Sequence, residues 1–205
     1  MPRGTQAIIG ANVVVFLLQM SMGTSLTAMF ALWPIEPDPA IYFGPGVGFA
    51  PWQLVTYGFL HGGFSHIFFN MFAIYMFGSA LEQFFGTRYY VTLYFVAVVV
   101  AGLTQLAVNA LLGSPYPTLG ASGGVYGLLL AFGMYFPQQR IMLLFPPVAM
   151  PAWVAVTGYA VLELVLGVTG TQQGVAHFAH LGGMVGAFVM IQWRRGKPPF
   201  RRPRR

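Results

Sequence analysis

One serine, four histidines and one asparagine carry the chemistry this sequence could do. Ser122 lies in the apolar run 119–136, with Gly120 before it and Gly123 and Gly124 after it. Pro115 and Pro117 stand upstream and Pro137 downstream, so the run reads as a helix beginning near Gly120 with a hydroxyl in its first turn. The first amides of a helix have no internal partner, which places N–H donors beside that hydroxyl. Eighteen residues of helix span roughly 27 Å, against a hydrocarbon core of about 30 Å, so Ser122 would begin in a recess below the near surface. A hydroxyl with oxyanion donors in a recess is half of a serine hydrolase; the competing reading is a small residue used for helix packing.

The other half must come from a base. His61, His66, His177 and His180 are the only histidines, and ionisable groups inside a membrane are functional candidates. His66 and Asn70 are four residues apart and share a helical face. His177 and His180 are three apart, and Gly182, Gly183 and Gly186 follow them. Those glycines, set against Gly120, Gly123, Gly124 and Gly127, would let the two helices pack closely, bringing a histidine to Ser122 as general base. His177 is the rival base but lacks the directly following Gly-Gly. His66 and Asn70 could donate to an oxyanion beside the Ser122 amide. No acid looks placed to orient the base, since Glu163 counts to the middle or cytoplasmic half of its span and Glu36 and Asp38 lie in a loop. The expected arrangement is therefore a dyad, with Glu163 bonded inside the bundle and His61 either retaining water or packing a loop.

These residues need a bundle to hold them. The chain is 57% hydrophobic and 7% charged, where a soluble domain carries about 25% charged residues. Its 205 residues suit one all-α, polytopic, compact bundle of six membrane helices. The expected spans are 7–33, 54–85 (helix proper from near Ser65), 89–112, the serine helix, 151–168 and 175–193. The start reads as a retained first span rather than a cleaved signal. The loop 34–53 carries aromatic and apolar residues suited to the interface. Cysteine is absent, which excludes disulfides, a thiol nucleophile and cysteine–metal sites.

The net charge of +6 is concentrated in the tail, where seven of the ten basic residues follow Gln192. We read residues 1–193 as one domain and 194–205 as a disordered, lipid-facing tail rather than a nucleic-acid arm. Arg3, Arg88, Arg140 and the tail fall on one side of six spans, and the opposite loops hold no Lys or Arg. That split puts both termini in the cytoplasm and the start of the serine helix outside.

Three motifs in chain order resemble those of the rhomboid intramembrane serine proteases. They are Gly120-Ala-Ser122-Gly123 with Tyr126 (G-x-S-G), Ala179-His180-Leu-Gly-Gly183 (A-H-x-x-G) and His66-Ile-Phe-Phe-Asn70 (H-x-x-x-N). Glu82-Gln-Phe-Phe-Gly86 with Arg88 resembles a further helix-end motif, which would cap that turn. The resemblance implies the rhomboid fold and an endopeptidase that cuts transmembrane substrates near the outer face, in a bacterial inner membrane, with no cofactor and no metal. It makes Ser122 the nucleophile and His180 the base. His66, Asn70 and the Ser122 amide form the oxyanion hole. Tyr126 packs on His180, and Gly120 and Gly123 position the motif. Two departures stand out: Trp52-Gln53 where many members have Trp-Arg, and Ala187 where glycine is more usual. The alternatives are a catalytically silent rhomboid-like binder of membrane helices, and a histidine-based metal protein, for which no inward carboxylate is expected to complete a ligand set.

Overall fold

The computed structural model describes residues 1–142, 147–170 and 175–196. The tail beyond Gly196 and most of the loop 169–174 lie outside the described residues. Six principal helices carry the chain: α1 (Arg3–Met22), α2 (Phe64–Phe85), α3 (Thr87–Leu112), α4 (Ser122–Tyr135), α5 (Ala152–Thr169) and α6 (His177–Arg195). Helices α1, α2, α3 and α5 are long and apolar enough to cross a membrane, whereas α4 is shorter.

Several boundaries move inward from their expected places. Helix α1 stops at Gly23, whose φ of 60° leaves the helical region, and a short helix Thr24–Phe30 follows. Residues 53–59 form a short α-helix and a 3₁₀ turn, and α2 begins at Phe64, close to the expected Ser65, and includes a π-helical stretch, Ile74–Gly78. The link between α4 and α5 contains an antiparallel hairpin, β1 (Arg140–Met142) with β2 (Ala149–Pro151), in the register Ile141↔Met150.

Helix α3 is the spine, running beside both α4 and α6. Its Tyr90, Leu93, Tyr94 and Val98 are fully buried, as are Leu128 of α4 and Ile191 of α6. Large apolar side chains also cover the outside: Leu17, Phe64, Phe68, Leu111, Val168 and Val185 are all exposed. An apolar exterior on this scale would associate in water and is suited to lipid. The protein is an integral membrane protein.

One end of the bundle is latched by polar groups. Glu82 near the end of α2 accepts the amides of Gly4 and Thr5 and the hydroxyls of Thr5 and Thr87, each at 2.7 Å. The carboxylate therefore caps the start of α1 as well as the α2–α3 turn, a wider role than the turn alone. Arg194 lies over the Tyr89 ring and Arg195 over Tyr135, at the same end. At the other end, the buried Gln53 side chain accepts from the Trp33 and Ala50 amides and donates to the Gly48 carbonyl. Glutamine at the departure from Trp-Arg thus anchors the first loop itself. Paired backbone bonds join Leu32 to Thr118, tying that loop to the strand entering α4.

Candidate active site

Ser122 is the first residue of α4. The chain reaches it through Gly120, whose φ of 130° suits a residue without a side chain, and whose amide donates to the Tyr57 carbonyl at 3.0 Å. A Cβ on Gly120 would strike the His66 ring. The 14 residues of α4 make about 21 Å of helix, less than the run 119–136 suggested and short of a hydrocarbon core of about 30 Å.

Close helix packing brings His180 to Ser122. A Cβ on Gly183 of α6 would collide with the backbone of Gly123 in α4. A Cβ on Gly127 would meet Ala97 and the Gly183 carbonyl. The other α6 glycines do not face α4: Gly182 packs on Thr104 and Gly186 on Val100, both of α3. The approach of α4 to α6 therefore depends on Gly183 rather than on the full glycine series, and Ala187 is fully buried without disturbing it.

His180 Nε2 is hydrogen-bonded to Ser122 Oγ at 2.8 Å. The Tyr126 ring, one turn after Ser122, stacks on the His180 ring with centroids 4.3 Å apart and planes 6° from parallel. His66 and Asn70 stand on the facing helix. His66 lies against Gly120 and accepts the Gly62 amide at Nδ1, 3.2 Å. Asn70 is buried, and one N–H of its amide donates to the His66 carbonyl at 3.0 Å. His61 is buried edge-on to His66 at 5.0 Å, between it and Phe16.

Glu163 is bonded inside the bundle as expected, but its partners are at the histidines, where no acid was expected. It is buried on a stretch of α5 whose neighbours Val161, Leu162, Leu164 and Val165 are exposed. Its Oε2 is 2.6 Å from His177 Nδ1 and 3.0 Å from His180 Nδ1, the second contact lacking the alignment of a hydrogen bond. Its Oε1 accepts the Tyr126 hydroxyl. An acid does lie beside His180. Counting depth along α5 could have found it: Glu163 is six residues from the helix end, and His180 is four into α6.

His177 is thereby placed as a partner of Glu163 rather than of Ser122. Glu163, His177 and His180 also offer ligand atoms within 4.8 Å of one another, so an inward carboxylate does complete a set that could hold a metal ion. Coordination there would occupy Nδ1 of His180.

A helical membrane bundle with a serine and a histidine meeting across two glycine-packed helices narrows the class sharply. A model of the rhomboid domain matches residues 49–195, and the chain belongs to the rhomboid family. It is 26% identical to the rhomboid protease GluP of Bacillus subtilis (strain 168), over 91% of this chain and 34% of that protein. It is 33% identical to rhomboid protein 1, mitochondrial, of Saccharomyces cerevisiae, over 69% of this chain and 41% of that protein. It is 27% identical to the putative rhomboid protease YdcA of B. subtilis, over 68% of this chain and 65% of that protein. The chain thus matches less than two thirds of the length of each of these relatives.

Proposed function

We propose that this chain is an intramembrane serine endopeptidase, with Ser122 as nucleophile and His180 as general base. The carrying observation is the 2.8 Å hydrogen bond between Ser122 Oγ and His180 Nε2, the nucleophile–base contact that acyl transfer requires. Ser122 Oγ attacks the substrate carbonyl carbon, and its proton passes to His180 Nε2. The carbonyl oxygen takes up the electron pair as an oxyanion facing the Ser122 amide, the Asn70 amide and the His66 ring. His180 then protonates the departing amine as the C–N bond breaks. Water, activated by the same imidazole, releases the acyl group from Ser122. No cofactor takes part.

The substrates are transmembrane proteins, cut near the outer face. A spanning helix has its backbone groups bonded internally and must unwind to present a peptide bond, so helix-weakening residues belong near the cut. The segregation of basic residues supports cytoplasmic termini and a site that opens to the outer side, and we assign the protein to a bacterial cell membrane. The protease domain runs through Arg195, the last residue of α6, with Arg194 and Arg195 lying over Tyr89 and Tyr135; the basic sequence 197–205 suits an anionic lipid surface. A silent relative that only binds membrane helices would have no need of a serine bonded to a histidine.

A serine-reactive fluorophosphonate applied to the purified protein tests this reading. Wild type should label at Ser122, located by peptide mass spectrometry. Ser122→Ala should not label, and His180→Ala should label far more slowly. Equal labelling of His180→Ala would remove the base from the mechanism.

A further inference from the structure

Two carboxylates are buried among the described residues, Glu82 and Glu163. A charge kept away from water needs partners, and their identity shows what each carboxylate is for. Glu82 is satisfied by two backbone amides and two threonine hydroxyls, all at helix ends far from Ser122 in sequence. Glu163 has no backbone donor among the described residues. Its three neighbours are the Tyr126 hydroxyl, His177 Nδ1 and His180 Nδ1. Two of the three belong to the stacked pair beside Ser122.

The tautomer of His180 follows from its other nitrogen. To accept the Ser122 proton, Nε2 must be bare, so the neutral ring carries its hydrogen on Nδ1. Glu163 Oε2 lies 3.0 Å from that nitrogen, within ion-pair reach though out of line for a hydrogen bond, so its hold on the Nδ1–H form is electrostatic. Once Nε2 takes the serine proton the ring is a cation, and the interior of a membrane protein is a costly place for one. The groups around His180 are Ser122 and Tyr126 from α4, Glu163 from α5, His177 from its own helix and His66 from α2. Glu163 is the only acid among them, and His177 holds it in place through a 2.6 Å bond.

We propose that Glu163 is a positioning residue for the Ser122–His180 pair, acting as the third member of a triad. It holds the Nδ1–H tautomer of His180, faces the imidazolium formed as Ser122 attacks, and anchors Tyr126 against the ring through its hydroxyl. The carboxylate keeps its charge throughout. The serine proton moves to Nε2 and on to the leaving amine, and none moves to Glu163. This role rests on the reading of Ser122 as nucleophile and His180 as base.

The test is steady-state cleavage of a model transmembrane substrate by the purified full chain in detergent, with EDTA present, alongside a melting curve for each variant. Glu163→Gln should melt near wild type and lose about 100-fold or more in kcat, with KM within about threefold, as expected for the loss of an orienting acid. Glu163→Asp, which restores the charge on a shorter arm, should recover about a tenth of wild-type kcat or more. Glu82→Gln, which removes the structural carboxylate, should lower the melting temperature and leave kcat of the folded protein within about twofold. A Glu163→Gln enzyme within threefold of wild-type kcat would overturn the proposal. So would an aspartate variant no better than glutamine. Should Glu163→Gln not fold, Tyr126→Phe takes its place: a kcat loss of about tenfold supports the proposal, and an unchanged kcat overturns it. Ser122→Ala runs beside them. If that variant still cleaves, it is the serine reading that has failed, a result separate from any outcome at Glu163.

Discussion

Asn70 illustrates how one side chain is shared between structure and proposed chemistry. Its amide is buried and spends one N–H on the His66 carbonyl within its own helix. A carboxamide has two such hydrogens, and the second is the donor proposed for the oxyanion. Asn70→Ala should therefore slow cleavage by about 1–4 kcal/mol in barrier, seen in kcat, with little change in melting temperature. Unchanged turnover would remove Asn70 from the oxyanion role. The pairing of Ser122 with His180 was readable from motif spacing, because the serine opens its helix and Gly183 stands three residues past the histidine. The contact of Glu163 with His177 and His180 was not read. It depends on which way α5 is turned, and the exposed residues flanking Glu163 are all apolar, so periodicity along α5 left the inward face unmarked.

At the scale of elements, the approach of α4 to α6 is the feature that makes the site. Gly183 lies so close to the Gly123 backbone that a methyl group has nowhere to go, and backbone cannot swing aside as a side chain can. Gly183→Ala should force the helices apart, destabilise the fold by about 1–3 kcal/mol and abolish cleavage. Gly158→Ala on α5 is the matched comparison, since nothing lies within 4 Å of the added carbon. It should keep activity and gain up to about 0.5–1 kcal/mol from helix propensity. Equal behaviour of the two variants in activity and melting would contradict the role given to Gly183. The six principal helices were legible because apolar runs and their proline and glycine boundaries are strong signals. The start of α2 near Ser65 was legible too, whereas the break at Gly23 and the β1–β2 hairpin were not. The break falls at Ser21-Met-Gly-Thr-Ser25, inside a longer apolar run, and the hairpin follows Gln138-Gln-Arg140, so hydropathy averaged over a span does not mark where the hydrogen bonding changes.

For the whole molecule, the proposed orientation follows from where charge sits. Arg3, Arg88, Arg140, Arg194 and Arg195 belong to connections on one side of the bundle, and Glu82 latches α1 to the α2–α3 turn there. The absence of cysteine makes this testable with single introduced thiols. Tyr116, before α4, and Gln138, after it, are both exposed. In intact cells, Tyr116→Cys should react with a membrane-impermeant maleimide, and Gln138→Cys should react only after lysis; the reverse pattern would invert the topology. The most direct measurement of the central claim is cleavage of a model transmembrane substrate by the purified protein in detergent, with chelator present. Wild type should cut, and neither Ser122→Ala nor His180→Ala should do so. Cleavage that survives both substitutions would contradict the serine–histidine mechanism.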